Sequence, residues 1–174
     1  AVNPVMSFTQ GEVEAGQMQF VDDGDETPPA FSVSVSDGEL TTEAVPVTIT
    51  DFINVNDPPV AVDDAGDGFS TPADTILTTA SVIANDTDED GDALTVTQVA
   101  GQAVTAGAVT LESGALVTAL ADGTLSYDPN GQFGGLAQGA TVEDSFTYVV
   151  SDGNGGTATA NVTVEIVGVN DLPD

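Results

Sequence analysis

No lysine, arginine or histidine occurs anywhere in the 174 residues, against 29 aspartates and glutamates, so the formal net charge is -29. No side chain of this protein can form an ion pair with those carboxylates, so their charge is met by water, backbone N–H groups and dissolved cations. The charge argues against nucleic acid as a partner and against an anionic membrane surface, because both draw on basic residues that displace counterions, and no direct membrane insertion is expected. A medium rich in divalent cations suits the composition instead. The same absences argue against an enzyme: without His, Cys, Lys or Arg there is no imidazole base, thiol or amine nucleophile, or phosphate clamp. Paired carboxylates can hydrolyse a glycoside, but that needs a cleft lined for sugar, and the chain has no Trp and only two Tyr. Missing cysteine removes disulfides and thiolate metal sites. There is no apolar run of about 18 residues to span a bilayer, and the opening "AVNPVMSFTQ" lacks the basic n-region of a signal peptide and reads as the middle of an extended segment, as expected of a piece of something larger.

What the chain does have is 40% hydrophobic residues, arranged in regular alternation along several stretches, which is not the composition of a disordered acidic tail. In "AFSVSVSD" Phe31, Val33 and Val35 alternate with serines. In "GTATANVTVEIV" Ala158, Ala160, Val162, Val164 and Ile166 alternate with Thr159, Asn161, Thr163 and Glu165. Each reads as a strand with one buried and one wet face. "QMQFV" (17–21), "VPVTIT" (45–50), "ALTVTQV" (93–99) and "FTYVV" (146–150) follow suit, separated by turn clusters of Gly, Asp, Asn and Pro. Only "GEVEAG" (11–16) hints at a helical turn. Many short strands at this spacing predict an all-β protein of antiparallel Greek-key β-sandwiches.

An internal repeat divides the chain. Residues 31–59 and 146–173 each run from an aromatic-led strand through Ser-Asp-Gly and an apolar strand to Val-Asn-Asp-x-Pro. Asp37 precedes Asn56 by 19 positions and Asp152 precedes Asn170 by 18, a difference that small loop indels absorb. Each block reads as the closing hairpin of one domain, with Val-Asn-Asp-x-Pro as its exit linker. Pro58 and Pro59, with fixed φ and no N–H, suit a stiff connector. The expected organisation is a partial sandwich at 1–58, only its second half, and a complete one at 59–174.

"IANDTDEDGDALTV" (83–96) packs Asp86, Asp88, Asp90 and Asp92 at alternate positions. Calcium takes six to eight oxygens at about 2.3–2.6 Å, so a tight loop must aim several carboxylates and carbonyls at one point. Asp86-x-Asp88-x-Asp90-Gly91 matches the opening of an EF-hand loop, yet its twelfth position is Thr97 rather than a bidentate glutamate, and the flanks read as strands. The stretch is therefore read as a calcium loop of a β-sandwich. Asp63, Asp64 and Asp67 form another acidic group, read equally well as a solvated turn or as metal ligands.

The run "VNDPPVAVDD…IANDTDEDGDALTV…DSFTYVVSDGNGGTATANVTVEIVGVNDLP" resembles the cadherin-like (immunoglobulin-like) tandem repeats of large bacterial and archaeal surface adhesins, over residues 59–173. "FTQGEVEAGQMQFVDDGDETPPAFSVSVSDGE" resembles the related chondroitin sulfate proteoglycan type repeat, within 1–58. The first resemblance implies Ca2+ held where a linker motif, an Asp-x-Asp loop and an Asp after the penultimate strand converge. On this chain those positions are Asn56 and Asp57, Asp88 and Asp90, and Asp152, with Glu26 as the preceding domain's contribution. Asn54 and Pro58 depart from the family's Asp-x-Asn-Asp-Asn linker, which removes one carboxylate and one side-chain oxygen. Asp86 and Asp92 are either further ligands or turn formers. The implied protein is an extracellular, cell-surface structural or adhesion module whose partners are neighbouring repeats of its own chain. The alternative is a filament or surface-layer subunit, whose incomplete first domain is completed by a strand from another copy.

Overall fold

The protein is described by a computed structural model over residues 8–15, 28, 30–49 and 53–170. The chain divides into two compact units, Ala1–Asn54 and Val55–Asp174. The break falls four residues before the boundary expected from the prolines. Asn56 and Asp57 are tied to the second unit by hydrogen bonds to Asp152 and Asp90, so the linker motif belongs to the domain that follows it.

In the first unit, α1 (Gln10–Glu14) is a single helical turn started by a capping box. The Glu12 carboxylate accepts from the Thr9 N–H at 2.6 Å, and the Thr9 hydroxyl accepts from the Glu12 N–H at 3.2 Å, which satisfies two donors that a helix start leaves unpaired. Strands β1 (Phe31–Val33) and β2 (Val45–Val47) form an antiparallel hairpin that pairs Phe31 with Val47 and Val33 with Val45. Pro46 lies in β2, where its missing N–H is tolerated only at an edge. The expected strand at 17–21 lies outside the described residues.

The second unit is a sandwich of two sheets. One holds β3 (Ser70–Pro72), β11 (Thr157–Val167), β10 (Thr141–Ser151), β5 (Thr95–Val99) and β6 (Gln102–Ala103), in that order. The other holds β4 (Leu77–Thr78), β9 (Leu125–Asp128), β8 (Leu116–Ala119) and β7 (Val109–Thr110). The alternation read along 157–167 is the burial observed: Ala160, Val162, Val164 and Ile166 are buried while Asn161 and Glu165 are exposed. From the paired strand come Phe146, Tyr148 and Val150, and from the facing sheet Val117, Leu125 and Tyr127. The sheets meet where Tyr127 and Phe146 stack, with ring centroids 6.4 Å apart and planes 9° from parallel. Burying each such side chain contributes about 1.5–3 kcal/mol. Tyr127 keeps its hydroxyl satisfied by donating to Asp144 at 2.8 Å.

One pairing departs from the antiparallel expectation. β3 runs parallel to β11, and the chain first joins that strand at an Asp64–Val162 bridge, also parallel. Because the first and last strands run the same way, the chain enters the second unit at one end and leaves it at the other. A domain so threaded can be strung in series.

Candidate metal centre

The end at which the chain enters gathers three segments distant in sequence: the linker at 55–58, the aspartate loop before β5, and the turn between β10 and β11. Their side chains hold one another. The Asn56 amide donates to Asp152 Oδ2 at 2.9 Å, and the Asp57 N–H donates to Asp90 Oδ2 at 2.7 Å. The Asn154 amide donates to Asp92 Oδ2 at 2.6 Å. Within the loop, Asp88 Oδ1 accepts from the Asp92 N–H at 3.1 Å and the Asp88 carbonyl from the Gly91 N–H at 3.2 Å, a tight turn for which Gly91 takes a φ of 76°.

This folding brings carboxylate oxygens of Asp88, Asp90 and Asp92 within 4.8 Å of one another. Two oxygens on one calcium ion lie at most about 5 Å apart at ordinary bond lengths, so the three fit a single ion. Asp88 Oδ2 is buried and has no hydrogen-bond partner. A buried carboxylate oxygen left unpaired costs several kcal/mol, and the chain has no basic side chain to offset it. An all-oxygen, multiply anionic donor set suits a hard divalent cation such as calcium.

Asp152 is 5% exposed and supplies the wall of this end. Its Oδ1 accepts from the N–H groups of Asn154 at 2.7 Å, Gly155 at 3.0 Å and Gly156 at 3.0 Å. Asp37 makes the same turn in the first unit, accepting from the Glu39 and Leu40 N–H groups at 2.9 and 2.8 Å. The Asn56 amide, and after it these backbone N–H groups, hold the Asp152 carboxyl below its ordinary value against the opposing effect of burial. A depressed folded pKa gives stability that is present above the unfolded value of 3.8 and lost as pH falls below it. In EDTA, the stability advantage of wild type over Asp152→Asn, read as a urea midpoint, therefore shrinks between pH 5 and pH 3.

Gly156 and Asn154 shape this end of the domain, and the sequence reading missed both. A Cβ at Gly156 would collide with the Asp152 carboxylate and lie 2.8 Å from Pro58 Cα, so glycine lets linker and turn touch. Gly156→Ala is expected to cost about 1–3 kcal/mol, the usual range for overpacking, and to weaken calcium binding through Asp152; calorimetry of both properties checks this. Asn154 sits in a "DGNGG" turn, whose composition signals a turn but not an amide aimed at Asp92.

The structure does not bring every candidate together. Asp86 turns away from the trio and takes the Tyr148 hydroxyl at 3.0 Å and the Val62 N–H at 2.8 Å. Glu26 lies outside the described residues. Asp92 joins Asp88 and Asp90.

Residues 56–168 match the family described as the bacterial cadherin-like domain. The chain belongs to that family. Residues 1–51 match a second cadherin-like family, so both units carry cadherin-like sequence. A search of curated proteins finds no relative of this chain. Cadherin-like domains generally bind Ca2+, and those of the bacterial type are typically extracellular or surface modules. Among the described residues no helix is long and apolar enough to cross a membrane.

Proposed function

We propose that this protein is a non-enzymatic, calcium-stiffened segment of an extracellular structural or adhesive protein. The observation that carries the reading is the convergence of linker, loop and turn on Asp88, Asp90 and Asp92, with a buried unpaired oxygen among them. Calcium would be held by these three carboxylates, with Asp152, Asn56 and Asp57 close by. When bound it supplies the positive charge that the side chains lack. Asp90 then grips the Asp57 N–H and Asp152 the Asn56 amide without mutual repulsion, and the linker is fixed to the domain it precedes. A fixed linker limits bending between successive repeats, and the parallel first and last strands suit a serial chain. The partners are accordingly neighbouring repeats.

Calcium stoichiometry tests this on wild type, Asp88→Ala and Asp152→Ala. Both variants are expected to lose affinity in the same class of sites. Loss confined to Asp88→Ala, with Asp152→Ala binding like wild type, would separate the turn from the centre and sink the shared-site reading.

The filament alternative draws support from the first unit, whose β1–β2 hairpin leaves Val45 62% and Val47 39% exposed. A strand or sheet from a second copy would cover these side chains. A monodisperse monomer at high concentration with calcium present counts against it.

A further inference from the structure

A second acidic group lies deeper in the same domain and has no place in the centre described above. Asp64 is only 7% exposed, and its Oδ2 is buried without a hydrogen-bond partner. Beside it, the Tyr148 hydroxyl oxygen lies 2.9 Å from the Val82 carbonyl, 3.2 Å from the Val62 carbonyl, and 3.0 Å from each carboxylate oxygen of Asp86. A phenol has one hydrogen to give. The Val62 N–H serves Asp86 Oδ1 at 2.8 Å, and the Asn85 amide reaches the Val62 carbonyl at 3.4 Å. The Val82 carbonyl and Asp86 Oδ2 are then left to share a single O–H, and Asp64 Oδ2 has no donor at all.

Such crowding of acceptors in a buried place is unfavourable unless something positive joins them. No lysine, arginine or histidine exists in the chain to do so. The choice lies between a proton and a dissolved cation. Burial pushes the Asp64 carboxyl up to about 6, helped by the charges of Asp86 and Asp63 and opposed by Tyr148 and Asn85. A proton would in any case satisfy one oxygen, whereas a cation satisfies several at once.

We propose that Asp64 and Asp86, with the Val82 carbonyl and the Tyr148 hydroxyl oxygen, form a second calcium site inside the domain. It is separate from the centre at Asp88, Asp90 and Asp92. Two carboxylates and neutral oxygens are a hard donor set, which selects calcium over softer metals. The site joins the first strand region, at Asp64, to β10 and to the loop that leads to Asp88. It would therefore lock the sandwich itself rather than its linker.

The test counts calcium bound to the full chain at pH 7.5, by equilibrium dialysis, for wild type, Asp64→Asn, Asp86→Asn and Asp88→Ala. Asp64→Asn is isosteric, and circular dichroism checks that each variant retains its sheet. The expected result is that Asp64→Asn and Asp86→Asn each lose one ion that Asp88→Ala keeps. Tyr148 supplies an independent readout, because the chain has two tyrosines and no tryptophan. Calcium should produce a tyrosine ultraviolet difference signal that persists in Asp88→Ala and vanishes in Asp64→Asn. Wild-type stoichiometry in both Asp64→Asn and Asp86→Asn would overturn the proposal and leave Asp64 as a proton-binding group. Calcium lost from Asp64→Asn but untouched in Asp88→Ala would uphold this site while refuting the one at the linker.

Discussion

Saturating calcium is expected to raise the unfolding midpoint of the second unit by about 10 °C over its value in EDTA. A ligand that binds only the folded form at a hundred times its Kd stabilises by about 2.7 kcal/mol. For a domain of roughly 120 residues each kcal/mol moves the midpoint by about 3–5 °C. The direction follows from charge. Asp88, Asp90 and Asp92 hold carboxylate oxygens within 4.8 Å of one another, and unfolding in EDTA relieves their repulsion. Differential scanning calorimetry with calcium, with EDTA, and with Asp88→Ala under both conditions checks the expectation. The variant should show a much smaller calcium shift, and its EDTA midpoint should be equal to or above that of wild type, because one of the repelling charges is gone. A full calcium shift in Asp88→Ala would remove the trio from the account.

Asp64→Asn is expected to change sign with calcium. In EDTA the folded pKa of about 6 stands above the value of 3.8 for a free aspartate. A raised carboxyl pKa means that the folded form holds its proton more tightly, so stability is greatest below pH 3.8 and is lost as pH rises through 6. Two pKa units correspond to about 2–3 kcal/mol. Asparagine carries no charge at any pH. Asp64→Asn should therefore be more stable than wild type by about that amount at pH 7.5 in EDTA, and the two should converge near pH 4. In calcium the order should reverse, because asparagine offers the cation a neutral oxygen in place of a carboxylate. Urea unfolding under four conditions, pH 4 and 7.5 with and without calcium, reads the whole pattern. A variant less stable than wild type in EDTA at pH 7.5 would contradict the reading of Asp64 as an unpaired buried charge.

The parts of the fold legible in the sequence are those in which one strand carries its own signal. Residues 157–167 alternate without interruption because that strand packs one face against a core and shows the other to water. The strands that escaped notice, such as β4, β6 and β7, are two residues long, too short for a period of two to register. The parallel partner of β11 escaped for a different reason. β3 contains Pro72 and lies among turn residues, and its direction is set by where the chain enters the sandwich.

The aspartate loop was legible in the same partial way. Alternate carboxylates with a glycine point to cation chemistry, and the loop does bring Asp88, Asp90 and Asp92 together. What composition cannot show is which way each side chain of the loop turns. Asp86 faces Tyr148, a residue far along the chain, whereas Asp88 turns toward Asp90 and Asp92. Asp64 was readable equally as part of a solvated turn or as a ligand, and its burial near that same hydroxyl has no signal in the sequence. Asn154 and Gly156 carry no signal beyond that of a turn, since their roles arise from contacts with Asp92, Asp152 and Pro58.

The central claim is that a cation at this end of the domain fixes the linker, and the linker's own backbone reports on it most directly. Nitrogen-15 relaxation of the Val55, Asn56 and Asp57 amides should be compared with that of the β10–β11 hairpin, in calcium and in EDTA. The account predicts that in calcium these three amides are as ordered as the hairpin, and that in EDTA they gain fast motion while the hairpin does not. Equal order of the three amides in both conditions would contradict it.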